Sequence, residues 1–120
     1  MDAHYAGDHL DQVLAASLRM LSQPVVLCDE AHVLFANEAA KRLLGGSKAA
    51  EVQGSPHARF FEREADVNAE QYANVLHNLV EFFDFPVKLR TLDDEILPLR
   101  VHMRPVSLNG TTVAMVTLAQ

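Results

Sequence analysis

Two runs of alternating apolar and polar residues near the C-terminus constrain the fold of this chain more than any other feature. A two-residue repeat is typical of a strand with one buried face, because successive side chains point to opposite sides of a sheet. A third run, TTVAMVTLA, follows Asn109-Gly110, the pair that most favours a tight hairpin turn. The sequence therefore predicts three consecutive antiparallel strands. The inward positions of the first two are Phe85, Val87, Leu89 and Thr91, and then Leu97, Leu99, Val101 and Met103.

The register of these strands follows from keeping their apolar side chains on one face. A slip of one residue turns every side chain over, so the numbers of paired residues must sum to an even value. In the first hairpin, a loop at Asp93-Asp94-Glu95 satisfies this condition. The expected pairs are Leu89 with Leu99, Val87 with Val101, Arg104 with Met115, and Val106 with Val113.

The first part of the chain predicts a helix, two short strands and a second helix. HLDQVLAASLRML has apolar residues at helical spacing and is typical of an amphipathic helix, which Pro24 ends. PVVLC and HVLFA are short strands separated by the turn DEA. Asn37 directly follows the second strand and is a favoured N-cap, and Gly45-Gly46 ends the helix that it begins. We therefore expect a structural role for Asn37.

A longer helix is predicted over NAEQYANVLHNLVEFF, residues 68–83. Its apolar stripe consists of Tyr72, Val75, Leu76, Leu79, Val80 and Phe83. Pro86 then marks the change from helical to strand periodicity. The apolar sides of all these elements define the expected core: Val26, Phe35, Leu43, Leu44, Tyr72, Leu76, Leu79, Phe83, Leu89, Leu99, Val101 and Met103.

Composition and charge restrict the classes of partner. With 49% hydrophobic residues the chain has the composition of a soluble globular domain, and no apolar run is long enough to span a membrane. The acidic N-terminus lacks the features of a secretory signal, so we expect a cytoplasmic location. A net charge of −6 argues against nucleic acid or an anionic membrane as the main partner.

The sequence contains no recognisable catalytic or metal-binding pattern. Its six histidines never stand at the spacing of a metal site. The segment LLGGSKAAE lacks the glycine spacing and the Lys-Ser/Thr order of a phosphate-binding loop. We therefore expect neither a metal site nor enzymatic activity.

The order of the elements resembles the PAS domain family over residues 18–119. The matching features are Asp29 at the end of the first strand, the segment VLFANEAAKRLLG and the final three strands. The resemblance implies an α+β fold, in which a five-stranded antiparallel sheet carries short helices and one longer helix on one face. It implies a structural role for Asp29. Residues 1–22 would form the N-terminal amphipathic helix and residues 23–120 the PAS-like domain.

The resemblance also implies a pocket between the helices and the sheet. No cofactor is predicted, and haem and flavin are the alternatives. His77 is the candidate haem ligand, although it lies roughly 120° around the helix from the apolar stripe and is expected at the surface. Cys28 does not belong to the reactive-cysteine motif of the flavin-binding members, so we expect a small buried hydrophobe. The candidate pocket residues are Phe35, Leu44, Tyr72, Leu76, Leu79, Leu99, Val101 and Met103.

Members of the family are sensory and dimerisation modules that regulate kinases, cyclases or transcription factors. We therefore expect a homodimer that regulates a downstream signalling domain or partner protein. Two alternative functions are a ligand-loaded sensor and a free-standing adaptor that ends at Gln120. The outer face of the sheet would carry Lys88, Arg90, Arg100, His102 and Arg104. The expected interface consists of Leu10, Val13, Leu14, Leu18 and Leu21 on the N-terminal helix and Arg100, Arg104, Val113 and Met115 on the sheet.

Overall fold

The computed structural model describes residues 22–60 and 65–120 of the chain. The predicted N-terminal helix, with its stripe from Leu10 to Leu21, lies outside the described residues, so its role stays a prediction. The elements in chain order are β1 (Val25–Cys28), β2 (Val33–Ala36), α1 (Glu38–Gly45), two 3-10 helices (Gly46–Glu51 and His57–Phe60), α2 (Ala65–Asn78), β3 (Phe82–Arg90), β4 (Ile96–Leu108) and β5 (Thr111–Ala119).

The five strands form one antiparallel sheet in the order β2-β1-β5-β4-β3. This confirms the predicted fold class. The helices of the described residues contribute to a core on one face, which we call the inner face. That core includes Ala40 and Leu44 of α1, Phe60 of the second 3-10 helix, and Tyr72, Val75 and Leu76 of α2. Within residues 22–60 and 65–120, no helix combines the length and the apolar composition that a membrane crossing requires.

The hairpin between β4 and β5 has the predicted register. Arg104 pairs with Met115, and Val106 pairs with Val113. Asn109 and Gly110 form the turn with φ values of 53° and 81°, both in the left-handed region. Two successive left-handed residues are what a two-residue turn of this hairpin class requires, and Asn-Gly is the pair that adopts them most readily.

The predicted register between β3 and β4 is wrong by two residues, although the inward faces of both strands are as expected. Leu89 pairs with Leu97, and Val87 pairs with Leu99. The cause is the loop, which is closed by Thr91. Its N–H donates to the Glu95 carbonyl at 2.8 Å, and its hydroxyl accepts from the Glu95 N–H at 3.1 Å. The loop is therefore Thr91–Glu95 instead of residues 93–95. Its odd number of residues keeps the apolar side chains on one face.

The helix α2 begins and ends earlier than predicted, so the assignment of Leu79 to the core is wrong. The helix ends at Asn78, Leu79 has a left-handed φ of 55°, and the Val80 N–H donates to the Asn74 carbonyl at 3.2 Å. The Leu79 side chain is 63% exposed. The apolar residues keep a helical spacing beyond Asn78, but the left-handed backbone at Leu79 ends the helix. The following residues therefore lead into β3.

The assignment of Phe83 to the core is also wrong, because β3 contains a bulge. Phe82 pairs with Met103 and Phe85 pairs with Val101, so Phe83 and Asp84 together lie opposite His102. Phe82 and Phe85 pack against the inner core, whereas Phe83 is 70% exposed. The Phe83 ring stacks on the His102 ring with a centroid separation of 4.6 Å. An extra residue in a strand re-aims the side chains around it, and alternation alone does not reveal its position.

A register shift between β1 and β2 places Phe35 away from the inner core, contrary to the prediction. Cys28 pairs with Val33 and Leu27 pairs with Phe35, so Leu34 is the extra residue. Val33 belongs to the inner core, whereas Phe35 lies in a second cluster on the opposite face of the sheet. We call this the outer patch. The outer patch consists of Val25, Leu27, Phe35, Val106, Val113 and Met115. Val113 is included because it pairs with Val106.

Asn37 is the N-cap of α1, as predicted, and is also hydrogen-bonded to residues around β1. Its side-chain oxygen accepts from the N–H groups of Ala40 at 3.0 Å and Val25 at 3.1 Å. Its side-chain nitrogen donates to the Gln23 carbonyl at 2.9 Å. The residue is 1% exposed. A solvent-exposed cap satisfies helix N–H groups alone, whereas this one holds the start of β1 and the start of α1 together.

We expect substitutions at Leu79 and Val101, both of which the apolar periodicity assigns to the core, to differ in their effects on stability. Leu79→Ala should leave the free energy of unfolding nearly unchanged, and Leu79→Gly should raise it by about 1 kcal/mol, because glycine relieves the left-handed backbone. Val101→Ala should lower it by about 2 kcal/mol or more. Urea denaturation measures all three. Val80→Gly is the matched control and should be destabilising. A large loss of stability in Leu79→Ala would contradict the exposed position of this side chain.

We expect Asn37→Ala to lower the free energy of unfolding by about 2–4 kcal/mol, because it removes three buried hydrogen bonds and leaves their backbone partners without them. An exposed cap typically contributes about 1 kcal/mol. Thermal and urea denaturation of Asn37→Ala and of Glu38→Ala, which alters the adjacent exposed residue, measure the difference. If both variants lose the same small amount of stability, Asn37 acts only as a helix cap.

Candidate functional site

A cavity of about 70 Å³ lies between the inner face of the sheet and the helices. Of the predicted pocket residues, Leu44, Tyr72, Val101 and Met103 line it. Leu76 and Leu99 are buried in the same core without lining the cavity. Phe35 lies on the opposite face and Leu79 is exposed. The remaining lining residues are Val26, Val33, His57, Phe60, Gln71, Phe85, Val87, Leu89, Val116 and Leu118.

His57 and Gln71 are polar lining residues that sequence reasoning missed. His57 lies in the second 3-10 helix, where its ring packs against the Tyr72 ring at a centroid distance of 4.7 Å. Its Nε2 atom lies 2.5 Å from the Glu30 carbonyl oxygen. This histidine therefore connects the β1–β2 turn to α2. Spacing in the sequence contains no signal for it, because the three contacting segments are far apart along the chain.

The β1–β2 turn is built around Asp29. Its side-chain oxygen Oδ1 accepts from the N–H groups of Ala31 at 2.8 Å and His32 at 2.7 Å. The Tyr72 hydroxyl donates to the backbone carbonyl of Asp29. Partial burial of Asp29 opposes its ionisation, but the two N–H donors and the nearby imidazoles of His32 and His57 hold its pKa below the usual value. The carboxylate thus closes this turn without a glycine.

Burial keeps the Cys28 thiol and the Tyr72 hydroxyl protonated at neutral pH. It raises the pKa of the Cys28 thiol to about 12, and the neighbouring Tyr72 hydroxyl only partly offsets this. Burial also raises the pKa of Tyr72 above its ordinary value. A thiol in this state is a poor nucleophile. Among the described residues the lining of the cavity includes no Lys, Arg, Asp or Glu, so this lining suits an uncharged, mainly apolar ligand.

The described part of the chain contains no group of three or more His, Cys, Asp or Glu side chains placed to hold a metal ion. His77, the candidate haem ligand, is exposed on α2 and does not line the cavity. The imidazole that reaches the cavity belongs to His57 instead.

The outer face of the sheet carries the predicted interface residues of β4 and β5. Arg100 and Arg104 are exposed, Val113 is buried, and Met115 is half-buried in the outer patch. The Arg100 guanidinium forms an ion pair with the Asp84 carboxylate and donates to the Asp84 carbonyl at 2.9 Å. His102 contacts the Glu81 carboxylate. The site residues therefore divide between two faces, an inner cavity and an outer surface that is basic at the β3–β4 edge.

We expect the stabilising effect of the Asp29 carboxylate to depend on pH. Because its pKa is lowered by folding, the contribution is present above the unfolded pKa of about 3.9 and is lost as the pH falls through the lower folded value. Asp29→Asn should therefore destabilise the protein at neutral pH and have a smaller effect near the folded pKa. Denaturation curves from neutral to acidic pH measure this. Asp94→Asn removes an exposed carboxylate 3.8 Å from Arg59 and serves as the control. An Asp29→Asn effect that does not change with pH would contradict the assignment.

Comparison with solved structures places the same architecture in PAS domains. The PAS domain of nitrogen regulation protein NR(II) from Vibrio parahaemolyticus is 18% identical, with a TM-score of 0.68, over 88% of this chain and 95% of that one. The PAS domain of an HTR-like protein from Haloarcula marismortui is 16% identical, with a TM-score of 0.69, over 92% and 91% of the two chains. A PAS domain from a two-component sensor histidine kinase is 9% identical, with a TM-score of 0.68, over 92% and 96%.

A search of curated protein sequences found no match. The comparison with protein families, in contrast, agrees with the structural comparison. The family profile described as "PAS domain" matches residues 22–119, which include all the strands and helices described above. The family match and the shared architecture both identify a PAS domain. PAS domains are in general sensory modules. This chain belongs to the PAS domain family.

Proposed function

We propose that this chain is a sensory and regulatory PAS module that acts through dimerisation or partner docking on the outer face of its sheet. It has no catalytic activity of its own and regulates a kinase, a cyclase or a transcription factor. The observation that carries this proposal is the burial of apolar side chains on both faces of the sheet. Apolar side chains on a sheet face that the described helices do not cover are typical of a surface that binds another element or a partner.

The outer patch supports an assembly surface. Val25 and Leu27 are 2% and 4% exposed, although the described helices pack on the inner face. These side chains form an apolar cluster on the face opposite to the described helices. The apolar stripe at Leu10, Val13, Leu14, Leu18 and Leu21 has the matching character, and Asp8 and Asp11 offer carboxylates to the basic residues of the same face. In our proposal the N-terminal stripes and the outer patches of two chains together form a homodimer, in which the charges set the orientation.

We expect the full chain to be a dimer at about 50 μM, a concentration at which a micromolar interface is largely formed. Met115→Asp places a charge in the outer patch and should convert the dimer to a monomer, because an unpaired charge is unfavourable in an apolar interface. Thr111→Asp, at the exposed end of the same strand, is the matched control and should remain dimeric. Light scattering after gel filtration measures the mass. A full chain that is monomeric at this concentration would rule out the homodimer.

A ligand-loaded sensor is the second candidate, and the cavity favours it. At about 70 Å³ the cavity is well below the roughly 300–1,000 Å³ of sites for drug-sized ligands, so without rearrangement it accommodates a few non-hydrogen atoms. Haem and flavin require more room, and we propose a small uncharged molecule instead. The absorbance spectrum of the purified protein separates these ligands. A haem or flavin band would contradict the proposed ligand, whereas the dimer experiment would be unaffected.

A further inference from the structure

A second concave site lies on the outer face of the sheet, beside the segment that precedes β1 and the end of β5. This cleft has a volume of about 290 Å³, larger than the inner cavity. Five of its seven lining residues are polar, in contrast to the mainly apolar lining of the inner cavity. The lining residues are Gln23, Asp84, Arg100, Val101, His102, Thr117 and Ala119.

The cleft belongs to a row of basic residues along β4. Arg100, His102 and Arg104 follow one another at every second position on the outer face, which sets neighbouring side chains roughly 7 Å apart. Lys88 and Arg90 extend this basic surface onto β3, the edge strand. Within the described residues, Lys88, Arg90 and Arg104 form no ion pair. In a chain of net charge −6, this concentration of positive charge favours an acidic partner.

The ion pair inside the cleft is exposed enough to exchange. The side chains of Arg100 and Asp84 are 54% and 73% exposed, and exposed pairs of this kind contribute little to stability. Asp84 also has a left-handed φ of 51°, within the bulge of β3. An incoming carboxylate can therefore replace Asp84 on the Arg100 guanidinium at little cost. The guanidinium presents the planar donor arrangement that binds a carboxylate through two hydrogen bonds.

An apolar contact stands beside these charges. Phe83 is 70% exposed and stacks on His102, which lines the cleft. Exposed aromatic rings next to arginine are typical of the residues that dominate protein interfaces. A small carboxylic acid in the cleft would leave Phe83 and Arg104 unused. A peptide segment with an acidic and an apolar side chain would contact all of them.

We propose that this outer cleft docks an acidic segment of a partner protein, whose carboxylate displaces Asp84 from Arg100 while a neighbouring apolar side chain packs on Phe83. The inference rests on the proposed docking function of the outer face and names the chemistry of the partner. The basic half of that face, on β3 and β4, then recognises the partner. The proposed homodimer uses the outer patch, centred on β1 and β5, so this inference assigns Arg100 and Arg104 to the partner segment instead of to Asp8 and Asp11.

The test uses the full chain and a synthetic pentapeptide of alternating Glu and Phe with blocked ends. Titration followed by amide NMR should shift the signals of residues 83–85 and 100–102, and binding should weaken as salt is added. Arg100→Gln should weaken binding about fivefold, the scale of one exposed ion pair. Asp84→Asn should tighten it, because the competing carboxylate is gone and asparagine tolerates a left-handed backbone. Arg42→Gln, an exposed arginine on α1, is the control and should bind as the parent does.

Several results would overturn the proposal. Equal binding of a peptide with Gln in place of Glu would remove the role of the carboxylate. Equal weakening by Asp84→Asn and Arg100→Gln would mean that this ion pair only maintains the bulge. Displacement of the peptide by succinate at comparable concentration would identify a small acid as the ligand. Tighter peptide binding in Asp8→Asn/Asp11→Asn would mean that the chain's own N-terminal acids occupy the cleft.

The same samples distinguish this proposal from the proposed homodimer. A chain that is dimeric by light scattering but does not bind the acidic peptide contradicts the docking inference alone. A chain that binds the peptide as a monomer contradicts the homodimer alone. Met115→Asp should abolish the dimer, and the peptide should still shift the signals of residues 83–85 and 100–102, since Met115 does not line the cleft.

Discussion

The buried amide of Asn37 is the interaction on which the other parts of this fold depend. It joins Gln23 and Val25, where the sheet begins, to Ala40 in the first turn of α1. Since β1 lies between β2 and β5, it links the N-terminal hairpin to the C-terminal strands. The position of α1 over the inner face, and thus one wall of the cavity, follows from where this amide places the helix start.

Local departures from regular pairing decide which face each aromatic residue occupies. The shift between β1 and β2 directs Phe35 to the outer patch, and the bulge in β3 directs Phe83 to the basic edge. Both residues would lie on the inner side if apolar periodicity continued unbroken. Moving them outward gives the outer face the apolar and aromatic groups that an interface requires. The irregularities thus divide the aromatic residues between the core side of the sheet and its outer face.

The two faces differ in the chemistry that they can recognise. The inner cavity is apolar, with protonated Cys28 and Tyr72 at one end, and suits an uncharged ligand. The outer face combines exposed arginines with Phe83, and suits a carboxylate next to an apolar group. Tyr72 and His57 connect the cavity to the β1–β2 turn, which leads into strands that carry the outer patch.

Sequence alone was sufficient to predict the order of the elements from β1 onward, the fold class, the Asn37 cap and the register of the Asn109-Gly110 hairpin. These features depend on local chemistry: a side chain that caps the following turn, a pair that adopts left-handed angles, and a two-residue repeat that must keep one face buried. Only the tertiary structure decided where α2 ends, how Thr91 closes its loop, and on which face Phe35 and Phe83 lie. It also brought His57 to the cavity and Asp84 to Arg100. Those outcomes depend on contacts between distant segments, and a change of one residue in strand pairing reverses a side chain without altering the apolar pattern of the sequence.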